Sequence, residues 1–418
     1  MQDAGRPKIL VLSRNYPNDV LDGLGLWVKR LVHQCAAQCD FSVISPVPYV
    51  PPLPVPEYYH RFRKIPKMSD SDSNMSVFHP RFLVGPGMLF QCTEAAMYYL
   101  AIKSQVAKLR EAFPFDLIHA HFTYPDGVVA ALLGRRYGVP VVITEHALWR
   151  PHRMENSRLV RRQAIWAVQN STFHIAVSRS VKASIEYFTG TSEHIKTIPV
   201  GVDGAMFRPS SNSRPNPNQI LYVGFLNHNK GVDVLLRAMS HLLKVNPQAQ
   251  LVLVGGSFYR NTNRQERQLR QLAKELALDG CVKFVGYKTS HEVARYMRES
   301  AVLVLPSRGE SFGAVLVEAL ACGTPVIATR CGGPEDVVTD DVGMLVSPED
   351  EHELSRAMET MLCRRDQFKP ERLRAYAMER FSWERVAAQT VELYGEALGS
   401  ATQLQGAAFN GRRASVSC

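Results

Sequence analysis

Residues 302–328, V-L-V-L-P-S-R-G-E-S-F-G-A-V-L-V-E-A-L-A-C-G-T-P-V-I-A, constrain the fold more than any other part of the chain. Val302–Leu305 is a short apolar run typical of a buried strand, and a loop containing proline and glycine interrupts it. From Phe312 the residues favour a helix that is apolar on every side, which indicates a buried helix. Because Gly323 and Pro325 end this helix before a second apolar run, the segment predicts a strand–helix–strand unit.

This unit contains two carboxylates. Glu310 follows the first strand, at the end where open α/β sheets bind ligands. Glu318 is the single charge of the helix, and since a buried carboxylate without a partner costs several kcal/mol, we expect it to have a donor. The amides of residues 312–314 can hold an anion, and Gly313 allows a bulky group to approach the backbone. The loop suits a ligand that carries phosphates in the middle and hydroxyls at both ends, such as a nucleotide-sugar. The alternative is a strand–helix–strand unit without a ligand, in which a structural arginine or the backbone satisfies Glu318.

The run S-R-G-E-S-F-G-A-V-L-V-E-A-L-A-C-G-T-P-V-I-A resembles the donor-site signature of retaining glycosyltransferases of family-4 type, with Glu310 and Glu318 in its Glu-x7-Glu frame. The resemblance implies an α/β fold of the GT-B type, with two facing Rossmann-like domains and an interdomain cleft. It implies an acceptor-binding domain over 1–205, a nucleotide-sugar-binding domain over 206–380, and a helix over 381–398 that crosses back to the first domain. We expect residues 399–418, which lack periodicity, to form a disordered tail.

The resemblance also implies a set of donor-binding residues in the loops that follow strands. They are Gly25, Gly224, Lys230, Gly255, Gly286, Glu310, Ser311, Phe312, Gly313, Ala314, Val315 and Glu318. Family members carry an arginine after the first glycine of the loop that contains Lys230, and this arginine and the lysine neutralise the donor diphosphate. Phe225 stands in the place of that arginine, so a contact of about 1.5–3 kcal/mol is missing or supplied elsewhere. Arg308 is the nearest replacement in the sequence.

Histidines follow two apolar runs of the first half. D-L-I-H-A leads to His121, and P-V-V-I-T leads to His146. The resemblance of V-I-T-E-H-A to a family segment implies that His146 lies beside the donor sugar, and we expect His121 to face the acceptor; a structural role is the alternative for both. The implied catalytic set is His146, Lys230 and Glu310. In this set His146 orients the sugar or stabilises positive character at the reacting carbon, Lys230 stabilises the departing diphosphate, and Glu310 holds sugar hydroxyls.

A basic stretch from Arg150 to Arg162 contains five arginines against Glu155, with tryptophans nearby. Such a stretch can hold anionic lipid headgroups or a pyrophosphate, so we assign Arg150 and Arg153 to acceptor binding; a solvated helix face is the alternative. The formal net charge of +10 also suits an anionic membrane or phosphate-bearing substrates. The sequence shows no helix-turn-helix, zinc-finger or RNP-type pattern, which argues against a nucleic-acid partner.

The cellular compartment is inferred from cysteines and hydropathy. The eight cysteines lack paired CxxC spacing, so the sequence indicates neither a zinc site nor a disulfide framework. The apolar run Ile9–Leu12 is too short for a signal peptide, and no stretch approaches the roughly 18 apolar residues of a membrane span. We expect a cytoplasmic protein with reduced thiols and a peripheral contact at the inner face of the cytoplasmic membrane.

The reaction that the resemblance implies moves a hexosyl or N-acetylhexosaminyl group from a UDP-sugar to a hydroxyl of a glycan or polyprenyl-linked acceptor, with retention of configuration. We expect this reaction to serve surface or exopolysaccharide biosynthesis. We expect no cofactor besides this co-substrate and no metal, because Lys230 and the helix start supply positive charge. Gly23-x-Gly25 begins a dinucleotide fingerprint, but Val28 occupies the third glycine's place, which argues against an oxidoreductase. A catalytically silent sugar-nucleotide or polysaccharide-binding protein, favoured by Phe225, and an epimerase of the same fold are the alternatives.

Overall fold

The chain forms two compact units, and each is an α/β domain with a mostly parallel sheet. The first unit contains Met1–Val177, Val181–Pro199 and Val386–Cys418; the second contains Ser178–Ser180 and Val200–Arg385. The computed structural model describes residues 5–18, 20, 23, 25–51, 57–70, 75–84, 88–149, 157–210, 213–256 and 264–414.

The first unit is built on an eight-stranded sheet and a separate two-stranded ribbon. Its strands are β1 (Lys8–Leu12), β2 (Asp40–Ile44), β3 (Val47–Pro48), β4 (Met68–Asp70), β5 (Ser76–Phe78), β6 (Arg81–Phe82), β7 (Leu117–His121), β8 (Val141–Glu145), β9 (Phe173–Ala176) and β10 (Ile195–Thr197). The sheet order is β10-β9-β8-β7-β1-β2-β5-β4, and β3 pairs with β6. The helices before residue 190 are α1 (Leu26–Cys35), α2 (Glu57–Lys64), α3 (Glu94–Ala112), α4 (Val128–Tyr137), α5 (Arg158–Gln169) and α6 (Arg179–Thr189).

The order of the strands in this sheet determines where a ligand can bind. The chain proceeds outward from β1 through β2 on one side, and outward from β7 through β8, β9 and β10 on the other. The topological switch point therefore falls between β1 and β7, and the loops after these strands flank a crevice. Ile9–Leu12 is fully buried, as expected for a central parallel strand covered on both faces.

The second unit has a six-stranded, all-parallel sheet in the order β13-β12-β11-β14-β15-β16. The strands are β11 (Asn216–Val223), β12 (Gln250–Val254), β13 (Val282–Gly286), β14 (Ser300–Leu305), β15 (Val326–Thr329) and β16 (Gly343–Val346). The helices are α7 (Val232–Leu242), α8 (Arg264–Glu275), α9 (Ser290–Glu299), α10 (Ala314–Ala321), α11 (Glu351–Arg364) and α12 (Pro370–Phe381). The predicted strand–helix–strand unit is confirmed as β14, α10 and β15, whose strands pair in parallel.

Helix α10 differs from the prediction in one respect. Its core side, including Leu316 and Leu320, is fully buried, but Ala314 is exposed, and Val315 and Glu318 are half-buried. Ala314 and Val315 precede Glu318 by four and three positions, spacings that place side chains next to each other on a helix surface, so Glu318 lies on the open face of the helix. The expectation of a helix buried on every side was therefore wrong, and Glu318 lies at the surface of the unit rather than in its core.

The last helix, α13 (Trp383–Ala414), belongs to the first unit from Val386 onward. It continues sixteen residues beyond Leu398, where the sequence predicted that it ends. Ala, Leu and Gln in this stretch favour a helix, whereas Gly399, Gly406 and Gly411 do not. Residues 415–418 lie outside the described residues. Within the described part of the chain, no helix combines the length and apolar character that a membrane crossing requires.

Candidate active site

The candidate site of the second unit lies at the switch point of its sheet. β11 and β14 are neighbours, and the chain proceeds outward from β11 to β12 and β13, and from β14 to β15 and β16. Residues 224–231 follow β11, and residues 306–313 follow β14. Both loops lie at the carboxyl edge of the sheet, at the point from which the strand order runs outward in opposite directions. Doubly wound sheets bind their ligands at this point.

Lys230 and Glu310 meet between these two loops. The Nζ of Lys230 donates to Oε2 of Glu310 at 2.5 Å, and the two side chains are 20% and 16% exposed. Ser307 Oγ donates to the same carboxylate oxygen at 3.3 Å. The predicted pair of functional residues is therefore a partly desolvated ion pair at the carboxyl edge of the sheet, and both side chains remain partly exposed.

The backbone holds Lys230 in a fixed position. Gly231 has a φ of +63°, and a Cβ added there would lie 2.0 Å from the carbonyl oxygen of Pro306, so only glycine fits between the loops. The amide of Arg308 donates to the Asn229 carbonyl at 2.8 Å, and Asn229 Nδ2 donates to the Gly309 carbonyl at 2.7 Å. These contacts join the lysine loop to the glutamate loop. Sequence reasoning missed Asn229, whose signal was its position next to Lys230.

The backbone of Glu310 is also fixed on its far side. Its amide donates to the Cys331 carbonyl at 3.3 Å, and its carbonyl accepts from the Gly333 amide at 2.8 Å. A Cβ at Gly333 would lie 2.3 Å from Cα of Phe312, so the two loops pack backbone against backbone. Glu310 is thereby anchored to the loop after β15 as well as to Lys230.

The start of α10 provides hydrogen-bond donors beside this pair. Gly313 precedes the helix with a φ of +87°, and among the described residues no side chain caps this end. The first amides of a helix have no intrahelical acceptor, so they can donate to an anion. Phe312 is buried, Ser311 and Val315 are half-buried, and Ala314 is exposed. The amides predicted to hold an anion therefore lie at the start of the same helix whose open face carries Glu318.

Three of the predicted donor-binding glycines lie at the carboxyl ends of the adjacent strands β11, β12 and β13; they are Gly224, Gly255 and Gly286. The Gly224 amide donates to the Val254 carbonyl at 3.0 Å, and the Gly255 amide donates to the Gly286 carbonyl at 2.9 Å. A Cβ at Gly255 would lie 1.9 Å from the Gly224 oxygen. These glycines keep the ends of β11, β12 and β13 free of side chains, which leaves backbone accessible beside the Lys230 loop.

Arg308 does not replace the missing arginine. Its Nη1 and Nη2 atoms donate to the two carboxylate oxygens of Asp233 at 2.9 and 2.7 Å, and Nη2 also donates to Glu349 at 3.1 Å. The hydrogen bonds with Asp233 raise the pKa of the Arg308 guanidinium above its ordinary value. The guanidinium is committed to these acids, so the expectation drawn from sequence proximity was wrong. Phe225, which stands in the place of the missing arginine, has a side chain that is 44% exposed.

In the first unit, Gly25 precedes α1 with a φ of +73°, and a Cβ there would lie 1.6 Å from the Asn15 carbonyl oxygen. This glycine lets α1 start directly against the loop after β1, at the switch point of that sheet. Arg150 and Arg153 lie outside the described residues.

His121 and His146 contact each other beside this switch point. His121 Nδ1 lies 3.0 Å from His146 Nε2, and the rings stack at 5.3 Å. Behind them, His119 contacts the Tyr394 hydroxyl of α13 at 2.6 Å and Thr144 Oγ1 at 2.8 Å. Burial lowers the pKa of His119 and of His146 to about 3, and burial also lowers the pKa of His121. These imidazoles are therefore neutral near pH 7 and act as hydrogen-bonding groups rather than as cations.

A further acid near the β7 end escaped the sequence analysis. Asp126 is buried, accepts from the Arg14 amide at 2.8 Å, and lies 3.4 Å from the Tyr98 hydroxyl. Burial raises its pKa to about 7, against the opposing charge of Arg14. Arg14 also pairs with the buried Glu94. The three charged residues are far apart in the chain, so no spacing could have indicated the cluster.

Comparisons with known proteins agree with this architecture. The model of Glycosyltransferase Family 4 matches residues 21–205, and the model of Glycosyl transferases group 1 matches residues 205–380. The D-inositol 3-phosphate glycosyltransferase of Corynebacterium jeikeium is 33% identical over 316 residues, which cover 68% of this chain and 73% of the relative. The chain belongs to glycosyltransferase family 4.

Solved structures show that this glycosyltransferase has the GT-B fold. The sucrose-phosphate synthase from Thermosynechococcus elongatus is 25% identical with a TM-score of 0.78, covering 94% of this chain and all of that one. The HepE protein of Anabaena, solved in complex with UDP-glucose, is 21% identical with a TM-score of 0.69, covering 93% of this chain and 99% of that one. The predicted family and fold class are confirmed.

Proposed function

We propose that this glycosyltransferase moves a hexosyl group from a UDP-sugar to an acceptor hydroxyl with retention of the anomeric configuration. The observation that carries the proposal is the ion pair of Lys230 and Glu310 at the switch point, beside the start of α10. The pair puts a cation for a diphosphate next to a carboxylate that accepts hydrogen bonds from hydroxyls. The Anabaena protein bound to UDP-glucose supports the choice of donor.

We propose roles for the residues that their positions support. Lys230 has three donor hydrogens, so it can hold a phosphate oxygen while it keeps Glu310. The α10 amides share the negative charge that grows on the departing diphosphate, which is electrostatic stabilisation of the transition state. Glu310 accepts hydrogen bonds from sugar hydroxyls, and Glu318, on the open face of α10, accepts them from the ribose. The role of His146 beside the donor sugar stays a prediction.

Both carboxylates of the site are assigned to hydroxyl contacts, so we propose attack by the acceptor on the same face from which the diphosphate leaves. The leaving phosphate oxygen then takes the acceptor proton, the new glycosidic bond forms, and the bond from the anomeric carbon to the diphosphate breaks. Because Lys230 and the helix amides supply the positive charge, we propose that the reaction needs no metal and no further cofactor.

Two acceptor classes are supported by different observations. The curated relatives are named D-inositol 3-phosphate glycosyltransferases, which favours a small phosphorylated polyol. Exposed Arg158 and Arg162 on α5, in the described part of the basic stretch, favour a polyprenyl-linked glycan at an anionic membrane surface, as in surface polysaccharide biosynthesis. Both acceptors carry phosphate, which suits a chain with a net charge of +10.

The deciding experiment measures UDP release from UDP-glucose and UDP-N-acetylglucosamine with each acceptor, with and without EDTA. The soluble acceptor is D-inositol 3-phosphate, and the lipid-linked acceptor is presented in anionic vesicles. We expect release with one acceptor class, unaffected by EDTA, and an α-linked product by NMR, since these donors are α-linked. Binding of UDP without release would favour the silent binding protein that Phe225 suggests, and conversion of the donor sugar without acceptor would indicate an epimerase.

A further inference from the structure

A cluster of two histidines and a glutamate joins two helices of the second unit. His241 lies in the last turn of α7, and Glu351 and His352 are the first two residues of α11. His241 Nε2 lies 3.3 Å from Glu351 Oε1, and the two imidazole rings are 4.3 Å apart. One ligand atom from each of the three side chains lies within 4.8 Å of the other two.

We propose that His241, Glu351 and His352 bind a zinc ion. Imidazole nitrogen and carboxylate oxygen are ligands that zinc prefers, and two histidines with one glutamate is an established donor set for this ion. Zinc–nitrogen bonds of about 2.0–2.1 Å require ligand atoms roughly 3.3 Å apart. The three side chains therefore need to approach by about 1.5 Å at most. His352 is exposed and His241 and Glu351 are half-buried, so side-chain rotation can provide this shift.

The competing interpretation is an ordinary surface ion pair between His241 and Glu351. Arg237 Nε lies 3.9 Å from the other carboxylate oxygen of Glu351, and its positive charge disfavours a cation nearby. The Arg237 side chain is 50% exposed, so it can turn into solvent at small cost. An ion pair needs neither the second imidazole nor its position 4.3 Å from the first, and it is this third group that favours a metal.

The cluster lies where the end of α7 meets the start of α11, so a bound zinc would link these two helices. Three protein ligands leave one position for water. Glu349, two residues before the cluster, accepts a hydrogen bond from Arg308 in the loop that carries Glu310. The metal would therefore hold the segment before α11 at a second point. The proposal rests on the chemistry and the spacing of these three side chains and is independent of the proposed transfer reaction.

The test is calorimetric titration of zinc chloride into the full chain after EDTA treatment and buffer exchange, with thermal melting in parallel. The Cys363→Ser background removes an exposed thiol, a group that competes for zinc in general. We expect a one-to-one site and a zinc-dependent rise in melting temperature. His241→Ala and His352→Ala should each weaken binding at least about tenfold and abolish that rise.

His291→Ala is the matched control, because His291 is an exposed histidine at the second residue of α9, as His352 is in α11. It should bind zinc as the background protein does. Melting in EDTA reports whether each variant is folded, and the exposed position of His352 makes loss of folding there unexpected. Unchanged zinc isotherms in both His241→Ala and His352→Ala, or no zinc-dependent rise in the background protein, would overturn the proposal.

Discussion

Replacing Lys230 with alanine removes the positive charge that pairs with Glu310 in the candidate donor site. We expect this change to lower stability only slightly and to lower kcat strongly. The pair with Glu310 is 2.5 Å long with side chains 20% and 16% exposed, so it lies between a solvent-screened pair and a buried one. Breaking an exposed pair costs about 0–1 kcal/mol, and breaking a buried pair costs about 3–5 kcal/mol. We therefore expect Lys230→Ala to lower the free energy of unfolding by about 1–2 kcal/mol, which leaves the protein folded.

The effect on catalysis should be larger. A pre-organised group that stabilises developing negative charge typically contributes about 10²–10³-fold to kcat. We expect a loss of this size in Lys230→Ala, measured as UDP release at saturating donor and acceptor, with unfolding followed in urea. Lys244→Ala, at an exposed lysine just after α7, is the control and should match the wild type in both assays. A Lys230→Ala enzyme that keeps more than about a tenth of the wild-type kcat would refute the role assigned to this lysine.

Three further changes test other parts of the account. Glu310→Gln should lower kcat/KM for the donor by about 10–100-fold, since hydrogen bonds to a charged group contribute roughly 1.5–3 kcal/mol. Gly231→Ala puts a Cβ 2.0 Å from the Pro306 oxygen at a φ of +63°, so it should lower the urea midpoint clearly, whereas Gly256→Ala, where a Cβ meets nothing within 4 Å, should not. Acidification from pH 7 to pH 5 should lower the free energy of unfolding by about 2 kcal/mol for each of His119, His146 and His174. Asp126, whose pKa burial raises to about 7, should offset about 2 kcal/mol of this sum, because the folded chain binds its proton more tightly than the unfolded chain does.

The sign of the pH effect follows from the buried histidines. Burial lowers the folded-state pKa of His119 and His174 to about 3, below the ordinary value of 6.5. Between these values the unfolded chain binds more protons than the folded chain, so stability is complete above pH 6.5 and is lost as the pH falls. Urea unfolding at the two pH values measures this. Equal free energies at pH 7 and pH 5 would show that these imidazoles are not held neutral by the fold.

The sequence predicted the features of the site that depend on local patterns. The buried runs of β14 and β15 and the loop between β14 and α10 are contiguous in the chain, so their order and the position of Glu310 could be inferred directly. Lys230 was found through the resemblance of its loop. That these two residues form an ion pair could not be known, because the parallel pairing of β11 with β14 brings together loops 80 residues apart.

The predictions that were wrong depend on contacts between residues that are far apart in the chain. Proximity in the sequence suggests Arg308 as a replacement for the missing arginine, but Asp233 and Glu349, which accept its hydrogen bonds, are 75 and 41 residues away. Glu318 was expected in the core because its helix is apolar, yet the exposure of one helix face depends on what the rest of the fold covers. The contact between His121 and His146 and the buried Asp126 likewise arise from neighbouring strand ends, which spacing in the sequence does not report.

Calorimetry with UDP, GDP and ADP tests the central claim most directly, namely that the switch point of the second unit holds a nucleotide-sugar. The titrations use the wild type, Glu318→Ala, and Glu359→Ala as a control on the exposed face of α11. We predict that UDP binds without magnesium, that Glu318→Ala weakens its binding by about 10–100-fold through loss of the ribose contacts, and that Glu359→Ala binds as the wild type does. Wild-type affinity in Glu318→Ala, or no binding of UDP to the wild type, would contradict the account.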